Sequence, residues 1–142
     1  MKLVLDTNIF ISSFFWGGNP RKIVVRIIDG KDTLFVSNEI LQEVFSVMSR
    51  PKFNVNRLQI IHFIKSIKEI AHSVPTLGTI RGVCRDSDDD KILECAVLSN
   101  ADFIISGDSD LLSLKEFQGI PIITASEYIN KIEKTNEKTP NA

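Results

Sequence analysis

The sequence holds only two cysteines, Cys84 and Cys95, in 142 residues. They form neither a metal-type spacing nor a disulfide framework, which excludes a stapled secreted scaffold and a zinc ribbon. Long apolar runs are missing too. None approaches the roughly 18 to 20 residues that span a bilayer, and the opening "MKLVLDTN" has no signal-peptide core or cleavage site. A cytoplasmic chain with no membrane contact is the expectation. There is no Walker A sequence, no G-x-G-x-x-G, no G-x-S-x-G and no Cys/His dyad, so P-loop nucleotide hydrolysis, dinucleotide redox chemistry and acyl transfer lose support. The two histidines, His62 and His72, have no cysteine pattern beside them, which disfavours zinc and makes both structural or solvated.

What is present is an ordinary globular composition, 43% apolar and 25% charged, in a 16.0 kDa chain large enough for one domain with a real core. The net charge of -1 conceals an asymmetry. Residues 1 to 85 carry 12 Lys and Arg against 6 Asp and Glu, whereas residues 86 to 142 carry 5 against 12. Such a division is one expected footprint of a protein that holds a cation on one side and a polyanion on the other.

Strands alternate with helices along the chain. "KLVL" reads as a buried strand ending at Asp6, and "TNIFISSFFWGG" as a helix that stops at Gly17 and Gly18. Asn19-Pro20 opens a second helix, "TLFVS" is a second strand, and Ser37 or Asn38 caps a third helix with Ile40, Leu41, Val44, Phe45 and Met48 on its inward stripe. Residues 56 to 72 predict a further helix, residues 80 to 84 a short strand holding Cys84, and residues 86 to 99 a helix that buries Cys95. "DFIIS" and "PIIT" read as strands, "GDSDLLSL" as a loop with a helical turn, and residues 126 to 133 as a last helix. One domain over 1–133 with a polar, disordered tail at 134–142 is expected. Alternation of this kind implies an α/β fold, a three-layer α/β/α sandwich on a mostly parallel sheet, whose ligands bind beyond the carboxyl ends of the strands.

That rule gathers the acids. Asp6 ends the first strand, Asp108 and Asp110 follow the strand "DFIIS", and "RDSDDDKI" puts Asp86, Asp88, Asp89 and Asp90 at a helix start after another expected strand. Glu43 lies on the third helix, where it can turn inward; Glu39, one turn earlier, suits the first-turn dipole. Each acid alone has a plain reading: a loop-amide acceptor at Asp6, a solvated helix residue at Glu43, an Asx turn at Asp108, a solvated acidic turn at 86 to 90. Together, carboxylates without matching bases are the donor set of Mg²⁺ or Mn²⁺, and a magnesium site built from carboxylates alone points to phosphoryl chemistry.

"LVLDTNIFISSF", "LQEVFSVMSRPKF" and "RDSDDDKILECAVLSNADFIISGDSDLL", in this order and spacing, resemble the PIN-domain ribonucleases, and more narrowly the prokaryotic toxin components of toxin-antitoxin systems related to VapC. The resemblance covers residues 1 to 130. It implies a PIN-like fold and a Mg²⁺- or Mn²⁺-dependent ribonuclease whose catalytic, metal-holding acids are Asp6, Glu43, Asp89 and Asp108. Asp89 is selected within its cluster because Ile92 and Ala96 stand at +3 and +7. Asp88 and Asp110 are accessory acids, Asp88 alternatively a cap, with Asp86 and Asp90 as supporting charge. Thr7 and Asn8 occupy the usual supporting positions, and Ser106 replaces the usual Thr.

The resemblance further implies an RNA substrate, a cognate antitoxin protein and a homodimer or higher homo-oligomer. Arg21, Lys22, Arg50 and Lys52 are candidates for the RNA backbone or ordinary solvated surface. Phe14, Phe15 and Trp16 are read as base-stacking residues, core, a dimer contact or an antitoxin groove. Two rivals stay open: a haloacid-dehalogenase-like phosphatase with Asp6 as nucleophile, and a PIN-type RNA- or protein-binding module without catalysis. The phosphatase needs a second Asp where this chain has Asn8.

Overall fold

A computed structural model describes residues 1–84 and 86–138. Strand β1 (Lys2–Leu5) carries Leu3, Val4 and Leu5, all fully buried. Successive strand side chains point to opposite faces, so burial of all three requires cover on both faces of the sheet. Truncating either leucine to Ala would cost roughly 2 to 5 kcal/mol.

The chain continues through α1 (Thr7–Phe15), α2 (Gly18–Ile28), β2 (Thr33–Val36), α3 (Asn38–Met48), a 3-10 turn at Pro51–Phe53, α4 (Arg57–Ile70) and β3 (Ala71–Ser73). After a 3-10 turn at Ser87–Asp89 come α5 (Asp90–Ser99), β4 (Phe103–Ile105), α6 (Ser109–Leu112), β5 (Glu116–Phe117), β6 (Ile120–Ile123) and α7 (Ala125–Lys138). The six-stranded sheet has the order β3-β2-β1-β4-β6-β5, parallel throughout except for the β5–β6 hairpin. The expected α/β architecture with a mostly parallel sheet is therefore present.

Local chemistry explains the boundaries. Ser37 accepts from the Ile40 amide to start α3, and Asn56 with Gln59 forms a capping box on α4. Helix α5 ends at Asn100, whose φ of 52° turns the chain back toward β4. In space α5 lies against β1, β2 and β4, while α1 packs on α2 and α3, and α2 on α7. Because β1 is central, with β2 on one side and β4 on the other, the crevice opens beyond the ends of β1 and β4.

Two expectations need correction. No strand forms among residues 80–84; the edge strand is Ala71–Ser73, whose first two residues read from sequence as the end of a helix. Side-chain chemistry decides this, since the Gly82 and Cys84 amides donate to the Asp90 carboxylate instead of a neighbouring strand. Cys84 is buried, but in a loop. At the other end, α7 extends through Lys138, into the stretch read as a tail; 139–142 lie outside the described residues.

Candidate active site

Asp6 follows β1 directly and is almost fully buried. Its amide donates to the Ile105 carbonyl, tying it to the end of β4, and Ser106, the next residue there, donates its hydroxyl to Asp6 Oδ2 at 2.8 Å. Burial pushes the Asp6 carboxyl up to about 6, with the Asp108 and Glu43 charges adding to the rise; the Ser106 hydroxyl and the Thr7 amide pull the other way.

Ser106 also accepts from the Asp108 amide at 3.0 Å, and Asp108 Oδ1 accepts from the Asp110 amide at 3.0 Å, so one chain of bonds leads from Asp6 into the cap of α6. Asp108 acts in turn on Asp89. Asp89 is 7% exposed, and its Oδ2 is buried with no hydrogen-bond donor. Burial, then a hydrogen bond with Asp108, then the charges of Asp108, Asp6 and Asp86 push the Asp89 carboxyl up to about 8.

Glu43 arrives from α3, half-buried. Its Oε2 accepts from the Thr7 hydroxyl at 2.5 Å and meets the Lys91 ammonium of α5 at 3.2 Å. Four chain regions, around Asp6, Glu43, Asp89 and Asp108, thus contribute to one acidic crevice. Among the described residues no three His, Cys, Asp or Glu side chains are already gathered tightly enough to hold a metal ion. The donor chemistry still suits a hard divalent cation: oxygen ligands only, raised carboxyl pKa values at Asp6 and Asp89, and one buried carboxylate oxygen lacking a donor.

The PIN domain family model matches residues 2–110. The chain belongs to the PIN-domain family. An uncharacterized protein of Methanocaldococcus jannaschii is 34% identical over 149 residues, covering 94% of this chain and 93% of that protein. Similar solved structures include VapBC2 from Rickettsia felis bound to a DNA fragment from their promoter, with a TM-score of 0.63 at 16% identity, covering 86% of this chain and 97% of that one. VapBC-1 from nontypeable Haemophilus influenzae gives 0.60 at 18% over 89% and 99%, and the PIN domain endonuclease Utp24 gives 0.55 at 18% over 85% and 82%. These structural likenesses establish the fold that the PIN domain shares with them.

Within this PIN domain the acidic cluster has divided labour, partly unlike the sequence expectation. Asp86, read as supporting charge, caps the 3-10 turn by accepting from the Asp88 amide, a role allowed for Asp88; Asp88 itself is exposed. Asp90, also read as supporting charge, is buried and grips the Gly82 and Cys84 amides, both at 2.9 Å. Sequence reasoning missed Glu94 altogether. It is 3% exposed, one helical turn beyond Asp90, and its Oε1 accepts from the Leu77, Gly78 and Thr79 amides. An acid inside the apolar face "ILECAVL" was the available signal, because a buried carboxylate needs partners. Lys91 was missed as well. Glu39, the weaker candidate, accepts from the Thr76 hydroxyl, which holds it in a loop contact.

Among the supporting residues, Thr7 is buried on Glu43 while Asn8 is exposed. Arg21 bonds the Ser13 and Phe14 carbonyls at the end of α1, so its guanidinium has a structural use. Lys22, Arg50 and Lys52 are exposed, with the Lys52 ammonium 5.0 Å from the centre of the Phe53 ring. Phe14 and Phe15 are half-buried against Phe63 and Phe53, and Trp16 stands 70% exposed beside Phe15. His62 and His72 are both exposed, His72 tilted over Phe35. No helix among the described residues is long and apolar enough to cross a membrane.

Proposed function

We propose that this PIN-domain protein is a metal-dependent ribonuclease that hydrolyses RNA phosphodiester bonds and serves as the toxin of a toxin-antitoxin pair. The observation that carries the reading is Asp89: a buried carboxylate with a donorless oxygen, pressed by Asp108 and Asp6, is an expensive arrangement unless a cation enters. Asp6, Glu43, Asp89 and Asp108 would hold Mg²⁺ or Mn²⁺, with Asp88 and Asp110 accessory. Such a cation, when bound, supplies Lewis-acid charge that lowers the pKa of a water and offsets charge on the phosphate.

The chain's own residues do the rest. Ser106 and Thr7 fix the orientation of Asp6 and Glu43 by donating to one oxygen of each. Asp6, with its pKa near 6, is mostly ionised at neutral pH and would hold such a cation, whereas burial and the neighbouring acids keep the proton on Asp89 to about pH 8. Lys22, Arg50 and Lys52 lie exposed in the basic half of the sequence and serve the RNA backbone through charge. The antitoxin reading is supported by the VapBC complexes that share the fold, and by the aromatic ledge of Trp16, Phe15 and Phe53, which offers apolar area to a partner protein or a second copy.

The test is cleavage of a panel of RNAs by the wild type and Asp6→Asn with Mn²⁺ present. Cleavage by the wild type that is lost in Asp6→Asn supports the reading. If the wild type neither cuts nor binds Mn²⁺, a non-catalytic RNA- or protein-binding module remains, in line with carboxylates that are not drawn around one point. Release of phosphate from small phosphomonoesters would favour the phosphatase, a reading weakened by the exposed Asn8 at the position that needs an acid.

A further inference from the structure

Lys91 stands in the first turn of α5, the end of a helix where the macrodipole disfavours a cation. Its ammonium nevertheless reaches into the crevice and lies 3.2 Å from Glu43 Oε2, with side-chain exposures of 20% and 24% for the pair. The Thr7 hydroxyl donates to the same oxygen, so Glu43 Oε2 is fully engaged. Among the described residues Lys91 is the one Lys, Arg or His within ion-pairing distance of Asp6, Glu43, Asp89 or Asp108. Lys91 also lines an adjoining cavity of about 370 Å³, together with Glu39, Ile80 and Arg81.

We propose that Lys91 is a built-in counter-cation: its ammonium occupies the positive position at Glu43 until a divalent cation displaces it, and so sets the cation affinity of the site. The inference rests on the cation site proposed above. A charge held by an ion pair must be released before Glu43 can serve a metal, and the half-buried pair is only partly screened by solvent. Lys91 is thus a positioning residue acting through Glu43. It keeps the cation-free crevice folded by offsetting the Glu43 carboxylate among the clustered acids.

Titration calorimetry of the wild type, Lys91→Met and Lys91→Arg with Mn²⁺ tests it. The expected result is about five- to tenfold tighter binding by Lys91→Met, with Lys91→Arg within about twofold of the wild type. The cation-free Lys91→Met protein should also melt below the wild type, and saturating Mn²⁺ should close that gap. If the wild type binds Mn²⁺ and Lys91→Met binds no tighter, the Lys91 proposal is overturned while the cation site stands; if neither binds, both fall. Wild-type protein labelled with ¹⁵N-lysine gives a reading that needs no variant: the Lys91 ammonium resonance should move on saturation with Mg²⁺, and an unmoved resonance overturns the proposal.

Discussion

The Ser106 hydroxyl donates to Asp6 Oδ2 at 2.8 Å, joining two residues 100 positions apart at the ends of adjacent parallel strands. The bond does two things at once. It satisfies a buried carboxylate, and it opposes the upward push that burial gives to the Asp6 carboxyl.

Ser106→Ala should therefore raise the Asp6 pKa further above about 6, while Ser106→Thr, which keeps the hydroxyl, should restore it. Following the Asp6 carboxyl by NMR titration measures the shift directly. Any metal-dependent cleavage should move its acid limb to higher pH in Ser106→Ala, with a loss of about tenfold at neutral pH. An unchanged titration in Ser106→Ala would deny the bond its role.

Asp89 is held protonated to about pH 8 by the fold, whereas in the unfolded chain it ionises near the ordinary carboxyl value of 3.8. Between those values the folded state binds more protons than the unfolded one, so the Asp89 contribution to stability falls as pH rises from about 4 to 8. Asp89→Asn, a neutral stand-in for the protonated acid, should consequently melt higher than the metal-free wild type at pH 8, by about 2 to 4 °C. The gain should vanish near pH 4. A variant that melts lower at pH 8 would show that the charge is not destabilising there.

Glu94 alone answers three loop amides, at 2.6, 2.9 and 3.4 Å. Glu94→Ala removes the shared acceptor of these part-buried bonds and should cost about 1 to 2 kcal/mol in urea unfolding. Hydrogen exchange at residues 77–79 should accelerate more than elsewhere. Glu94→Gln keeps one oxygen acceptor and should lose about half as much.

Far from the crevice, Tyr128 on α7 donates to Asp32 Oδ1 at 2.7 Å while Arg26 on α2 donates to Oδ2 at 2.8 Å. Burial alone would raise the Asp32 carboxyl, but the Arg26 and Tyr128 hydrogen bonds outweigh it and hold the carboxyl below its usual range. That stabilisation is present above the unfolded value of 3.8 and is lost as pH falls through the lower folded value. Tyr128→Phe should destabilise the fold by about 1 to 2 kcal/mol at pH 7, and by less when the comparison is repeated in strong acid.

Much of the architecture was legible in the amino-acid order. The run "KLVL" demanded a strand buried on both faces, and the stripes on α3 and α5 demanded helices, because burial of apolar side chains follows the period of the backbone. Asp6, Asp108 and the cluster at 86 to 90 could be placed at strand ends and a helix start by the same reasoning. The edge strand was not legible. Ala71, His72 and Ser73 have little apolar signal, and they form β3 only because β2 offers unpaired backbone groups at that edge.

The sequence by itself determined the alternation of strands and helices, the candidate carboxylates and the family. Tertiary structure decided which carboxylate does what. Asp89 and Asp90 are neighbours of identical chemistry, yet one is left with a bare buried oxygen beside Asp108 and the other is spent on the Gly82 and Cys84 amides. Residue type and spacing carry no record of which donors a distant loop will present, and an acid's pKa and task are set by those donors and by the water excluded around it.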